Sequence, residues 1–180
     1  MKNYIVLLLS VFSLLTVSCD NKPSLQKYFV EKENDTNFKM VDLSPSLLKL
    51  DSVTLSKSEK DALDSFKKMN ILIFKVKKNN QNEMVIEQKR VAEILKDTTK
   101  FKPLMRFGSN KKGISVSYVG TDDNIKEFIV FGKDETAGFG VVRIIGDKMK
   151  PEDAMSLVQL MQKSNTDWSK IAGMFAPQNK

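Results

Sequence analysis

From residue 101 onward the hydrophobic period is two, and nothing else in the chain constrains its fold as strongly. Ile114, Val116 and Tyr118 alternate with Ser115, Ser117 and Val119, as in a strand with one buried face. The same rhythm predicts strands at 102–108, 113–119, 125–131 and 139–146. Between them lie GSNKKG, GTDDN and GKDETAG, each joining Gly with Asn or Asp as hairpin turns do. Consecutive strands linked by such short turns make an antiparallel meander, because parallel neighbours need a crossover of a dozen or more residues.

The first half of the chain reads mainly as helices. Leu25, Tyr28 and Phe29 have helical spacing within 24–33, and Phe38–Leu43 alternates weakly as a strand. Ser44-Pro45 has the form of a cap and first-turn proline for a short helix carrying Leu47, Leu48 and Leu50. Ser56 and Glu59 have capping-box spacing, opening a helix with Ala62, Leu63 and Phe66 on one side. The apolar run NILIFKV at 70–76 suits a central, doubly covered strand. A helix over 83–97 buries Met84, Val91, Ile94 and Leu95. Pro151-Glu152-Asp153 opens a last helix with Ala154, Leu157, Val158 and Met161 as its stripe. This order predicts an α+β fold: a mainly antiparallel sheet with a C-terminal four-strand meander and helices packed on one face. One domain is expected over 25–165, with a tail at 166–180 anchored by Trp168, Ile171 and Phe175.

The start of the chain bears on location. Lys2 is followed by the apolar run Tyr4–Leu15, then Thr16-Val17-Ser18-Cys19 and a polar stretch. The run has the length of a signal-peptide core and is shorter than the roughly 20 residues that span a bilayer. A Cys placed directly after it resembles the lipobox of bacterial lipoproteins. That resemblance implies cleavage after residue 18, a lipid such as palmitate on Cys19, and a tether over 19–24. Ordinary secretion, cut after Thr16-Val17-Ser18, is the alternative; it leaves an unpaired thiol at the new N-terminus. Removing residues 1–18 leaves 162 residues with a net charge of +6.

Several chemistries are excluded by residue counts. There is no His, so no Ser-His-Asp triad and no His-based zinc site, and one Cys makes no intramolecular disulfide. No pattern calls for a metal or a cofactor: Asp122-Asp123 and Asp134-Glu135 sit where hairpin turns use acids, and Gly138-Phe139-Gly140 lacks the spacing of a phosphate loop. The formal charge of +7 is concentrated in residues 57–112, which hold 15 basic and 7 acidic groups. Lys67, Lys68, Lys77, Lys78, Lys111 and Lys112 are therefore a candidate surface for an anionic or protein partner, against the plainer reading of a solvated face. Nucleic acid is not expected, since Arg occurs only at Arg90, Arg106 and Arg143 beside 26 Lys.

The segments FKPLMR at 101–106, GISVSY at 113–118, EFIV at 127–130 and VRIIGD at 142–147, with the terminal helix, resemble the domain of unknown function 4252 family. Its members are small exported lipoproteins of Bacteroidetes-type bacteria without assigned activity or catalytic residues, some encoded beside extracytoplasmic-function sigma factors. The resemblance implies no site to carry over, apart from the acylated Cys19; the first expectation is a non-enzymatic envelope lipoprotein held to a membrane, a binding or scaffolding module. The alternatives are a carboxylate- or Lys-dependent envelope hydrolase, and an envelope-stress regulator linked to a sigma factor. A groove between sheet and helices, or an exposed edge strand, is the expected place for a partner.

Overall fold

A computed structural model describes residues 23–164. Helix α1 (Leu25–Lys32) starts where Ser24 accepts a bond from the Lys27 amide, and its spacing buries Leu25, Tyr28, Phe29 and Lys32 along one side. Strand β1 (Phe38–Leu43) follows. The expected short helix is only a 3-10 turn at Pro45–Leu47: Ser44 makes no side-chain cap bond there and Leu47 is exposed, so nothing holds a further turn. Helix α2 (Lys57–Ser65) opens on the expected capping box. Ser56 Oγ accepts from the Glu59 amide, and Glu59 Oε2 accepts from the Ser56 amide at 2.7 Å.

Strand β2 is Phe66–Phe74, starting four residues before the expected 70. Phe66 has helical spacing from Ala62 and Leu63, yet its partner is Gly146 on the last strand. A side chain at Gly146 would meet the Ser65 carbonyl at 2.4 Å, so glycine there lets the end of α2 turn directly into the sheet. Helix α3 (Gln81–Leu95) carries the chain to the far edge. Strands β3 (Lys102–Gly108), β4 (Lys112–Thr121), β5 (Asn124–Asp134) and β6 (Gly138–Met149) return as the expected meander, most of them longer than the apolar runs alone indicate. Helix α4 (Asp153–Lys163) closes the described chain. Leu157 and Leu160 are its buried apolar residues, whereas Val158, expected in the stripe, is exposed.

The strand order is β1-β2-β6-β5-β4-β3, with every neighbouring pair antiparallel. The α+β class, the antiparallel sheet and the C-terminal meander are thus as expected. The helices differ in one respect: they divide between the two faces instead of sharing one. On β2, Leu72 and Phe74 join a cluster with Tyr28 and Phe29 of α1 and Met84, Val91 and Ile94 of α3. Met69 and Ile71, on the opposite face, join Ala62 of α2 and Leu157 and Leu160 of α4. The apolar run of β2 requires this, since it has no polar face to turn to water.

The α1–α3 face is built on aromatic rings. Phe74 stacks on Phe139 with centroids 5.6 Å apart, and Phe38 meets Phe74 edge-on at 5.1 Å. The two helices are joined by a buried polar clasp. Glu87 accepts from Tyr28 Oη and from Lys32 Nζ, both at 2.8 Å, while Arg90 forks onto Glu31. On the other face Lys163 of α4 pairs with Glu59 of α2 at 2.6 Å.

Candidate functional site

Helices cover the β1, β2, β6 and β5 side of the sheet more fully than the β3–β4 side. Tyr118, at the end of β4 next to α2 and α4, is buried as its alternation predicts. Ile114, on the same face four residues earlier, is 47% exposed, and its cross-strand partner Phe107 is 60% exposed. The strand alternates as its sequence does, and no described helix reaches this end to cover it. A shallow apolar concavity of about 490 Å³ lies there, around Ile73, Ile114 and Phe107, with Gly132 and Gly140 between them.

A larger groove lies on the α1–α3 face, between the C-terminal end of α3 and the β3–β4 hairpin. Its volume is about 770 Å³, within the range of about 300–1,000 Å³ usual for small-molecule sites. Register and alternation build it. Arg106 of β3 lies beside Ser115 of β4, which lies beside Phe131 of β5, so their side chains share one face. Ser117 and Lys133 lie on that face two residues away along β4 and β5. From the helix side come Ala92 and Leu95, with Lys96 and Phe101 just beyond. Phe101 and Phe131 are buried and belong to the aromatic cluster. The ionisable side chains in the lining are Lys96, Arg106 and Lys133, and none of the lining residues is a carboxylate. Lys96 pairs with Glu93; no ion pair joins Arg106 or Lys133 to an acid among the described residues. Such a surface is complementary to apolar matter with a negative end. It holds no carboxylate or imidazole to serve as a general base for Ser115 or Ser117.

The six lysines singled out in the sequence do not converge on this groove or on one patch. Lys67 and Lys68 lie where β2 begins, and pair with Asp147 at 3.9 Å and Asp42 at 3.0 Å. Lys77 and Lys78 follow the opposite end of β2, where Lys77 donates to Thr36 O and Asn37 Oδ1. Lys111 and Lys112 occupy the β3–β4 turn at that same end, with β6 and β5 between the two pairs of lysines, and Lys112 pairs with Asp134 at 3.3 Å. The groove's own cations were missed because Arg106 and Lys133 are far apart in sequence. Only strand pairing sets them on either side of β4.

The loop acids serve turns. Asp134 accepts from the Thr136 hydroxyl and from the amides of Thr136 and Ala137, and Asp122 accepts from Tyr118 Oη at 2.6 Å. No cluster of three or more His, Cys, Asp or Glu able to hold a metal occurs among the described residues. The Thr136 hydroxyl and amide hold the Asp134 carboxyl below its usual range; the Arg90 guanidinium does so for Glu31, and the Lys126 ammonium for Asp147. A carboxyl depressed in the folded state adds stability that is complete above its unfolded pKa and is lost as pH falls through its folded one. Urea midpoints should therefore drop between pH 6 and pH 3. Asp134→Asn should flatten that slope, and an unchanged slope would show that the turn does not use the charge.

Cys19, the cleavage site, most of the 19–24 tether and the tail anchors Trp168, Ile171 and Phe175 lie outside the described residues. The molecule is defined by a six-stranded antiparallel sheet, clad by a helix pair on each face and left open over the β3–β4 hairpin, where the cationic groove lies. A family model described as a domain of unknown function (DUF4252) matches residues 28–157. The chain belongs to that family. No curated protein and no solved structure matches it.

Proposed function

We propose that this protein is a lipid-tethered binding module of the bacterial envelope, without enzymatic activity, that holds its partner in the groove between α3 and the β3–β4 hairpin. The observation that carries the reading is the groove itself: concave, floored by Leu95, Phe101 and Phe131, and free of any carboxylate. The lipobox-like Cys19 supports the tether, since a chain with two or three acyl groups holds a domain stably at a membrane where one does not. Among the described residues no helix is long and apolar enough to cross a membrane.

Two measurements test the reading. Metabolic palmitate labelling should mark the wild-type chain and not Cys19→Ala, which should also leave the membrane fraction. A photo-crosslinking residue at position 115 should capture a partner in whole cells, whereas one at exposed Val30, on α1, should not. Labelling that persists in Cys19→Ala removes the anchor, and equal capture at both positions removes the groove.

A further inference from the structure

The groove's chemistry specifies its occupant more narrowly than a partner in general. Its floor is apolar and its three ionisable side chains carry one sign. Arg106 and Lys133 approach from either side of β4 and are joined to no acid among the described residues. A ligand that satisfied only the floor would leave those cations idle, and one that satisfied only the cations would leave the floor wet.

A peptide added to the sheet fits poorly. The sheet edge beside the groove is β3, which begins Lys102-Pro103 and shifts register between Pro103 and Met105. Lysine, proline and a bulge are devices that stop an edge from pairing. A bilayer surface fits poorly as well, because the site is concave and its hairpin end lies at the opposite end of the sheet from the start of α1. Lys32, at the C-terminus of α1, lies 5.4 Å from the Phe38 ring, where β1 begins. Phe29, one turn earlier, lies under Arg143, which is level with Asn70 and Asp42 near the other end of β1. The N-terminus of α1 therefore leads away from the hairpin turn at 108–112.

We infer that the groove binds a free single-chain anionic amphiphile, a fatty-acid-like carboxylate. Its tail lies on Leu95, Phe101 and Phe131, and its head lies against Arg106 and Lys133. This rests on the groove being the binding site of the proposed function, and names what it takes.

The test uses the full chain in neutral detergent with a diazirine-bearing fatty acid, and the matching fatty alcohol as the neutral control. After irradiation, mass spectrometry should place saturable labelling within residues 92–133 for the acid, with little for the alcohol. Arg106→Gln with Lys133→Gln should reduce labelling by about tenfold or more, as expected for losing two charged hydrogen bonds. Ser115→Phe, which fills the groove from the strand side, should reduce it similarly. Arg106 is exposed, Lys133 and Ser115 are half-buried, and unchanged melting curves confirm the folds of both variants. Equal labelling by acid and alcohol, or labelling unaffected by either variant, overturns the inference. So does competition by anionic phospholipid vesicles with none by dodecanoate. If position 115 captures a protein in cells while the fatty acid fails to label, the amphiphile is wrong and the binding module stands. If position 115 captures nothing and the fatty acid fails as well, both fall.

Discussion

Phe74→Ala should lower the stability of the domain by about 3–5 kcal/mol, the cost of emptying a buried aromatic site. Phe74 is 1% exposed and sits at the middle of the ring cluster, stacked on Phe139 and edge-on to Phe38. The deletion removes its transfer free energy and both ring contacts, and the flanking strands β1 and β6 are held by their ladders and cannot close the gap. For a domain of this size the melting temperature should fall by roughly 10 °C. Phe107→Ala is the control. Phe107 is 60% exposed, so its loss should cost no more than about 0.5 kcal/mol. A Phe74→Ala cost below about 1 kcal/mol would mean that the rings are not the core of this face. The cluster also reaches the groove, because Phe139 meets Phe131 edge-on at 6.2 Å. A cavity at Phe74 loosens the floor on which a ligand's apolar part rests, so binding should weaken along with stability.

What the sequence showed of this fold was local. The meander was legible because alternation and Gly-Asn or Gly-Asp turns act within a dozen residues, as at Ile114–Tyr118 and GTDDN. The capping box at Ser56–Glu59 was legible for the same reason. The end of α2 was not, since Phe66 satisfies a helical stripe and a strand equally well, and the close approach of Gly146 to Ser65 decides between them. The two-faced cladding was half visible. The continuous run in β2 demanded two covered faces, while the alternation of β4 demanded one, and both are met because the helices cover one side of the sheet more than the other. The groove was expected as a kind of place, between helix and sheet. Its residues were not, because Lys96, Arg106 and Lys133 meet only through the crossover of α3 and the pairing of three strands. Of the lysines that stand out in the sequence, Lys68 pairs with Asp42 and Lys112 with Asp134 at the surface.

Glu87→Ala should cost about 3 kcal/mol, and the reason is the charge it strands. Lys32 and Glu87 are both buried, 2.8 Å apart, between α1 and α3. Removing one member of a buried pair leaves the other desolvated, at about 3–5 kcal/mol. Asp35 at 3.4 Å and Glu31 at 3.6 Å partly take over Lys32, which puts the expectation at the low end. Tyr28 also loses its acceptor. Replacing the three buried members of the clasp together is a different experiment. Tyr28→Phe with Lys32→Met and Glu87→Leu removes every desolvated polar group together and keeps the volume, so stability should return to within about 1 kcal/mol of wild type. Burial raises the Tyr28 hydroxyl far above its ordinary value. Burial opposes the Lys32 ammonium, but Glu87 outweighs it and holds the pKa above its usual range. A group whose pKa is raised on folding stabilises below its unfolded pKa, and that gain is lost as pH rises through the folded one. Wild-type stability should therefore decline above about pH 10, and the triple variant should decline less. A triple variant as unstable as Glu87→Ala would show that the clasp contributes net stability through its own bonds, and an alkaline limb unchanged from wild type would show that Tyr28 and Lys32 do not cause it. If the triple variant recovers, the bonds of the clasp do no more than offset the desolvation of the groups that make them.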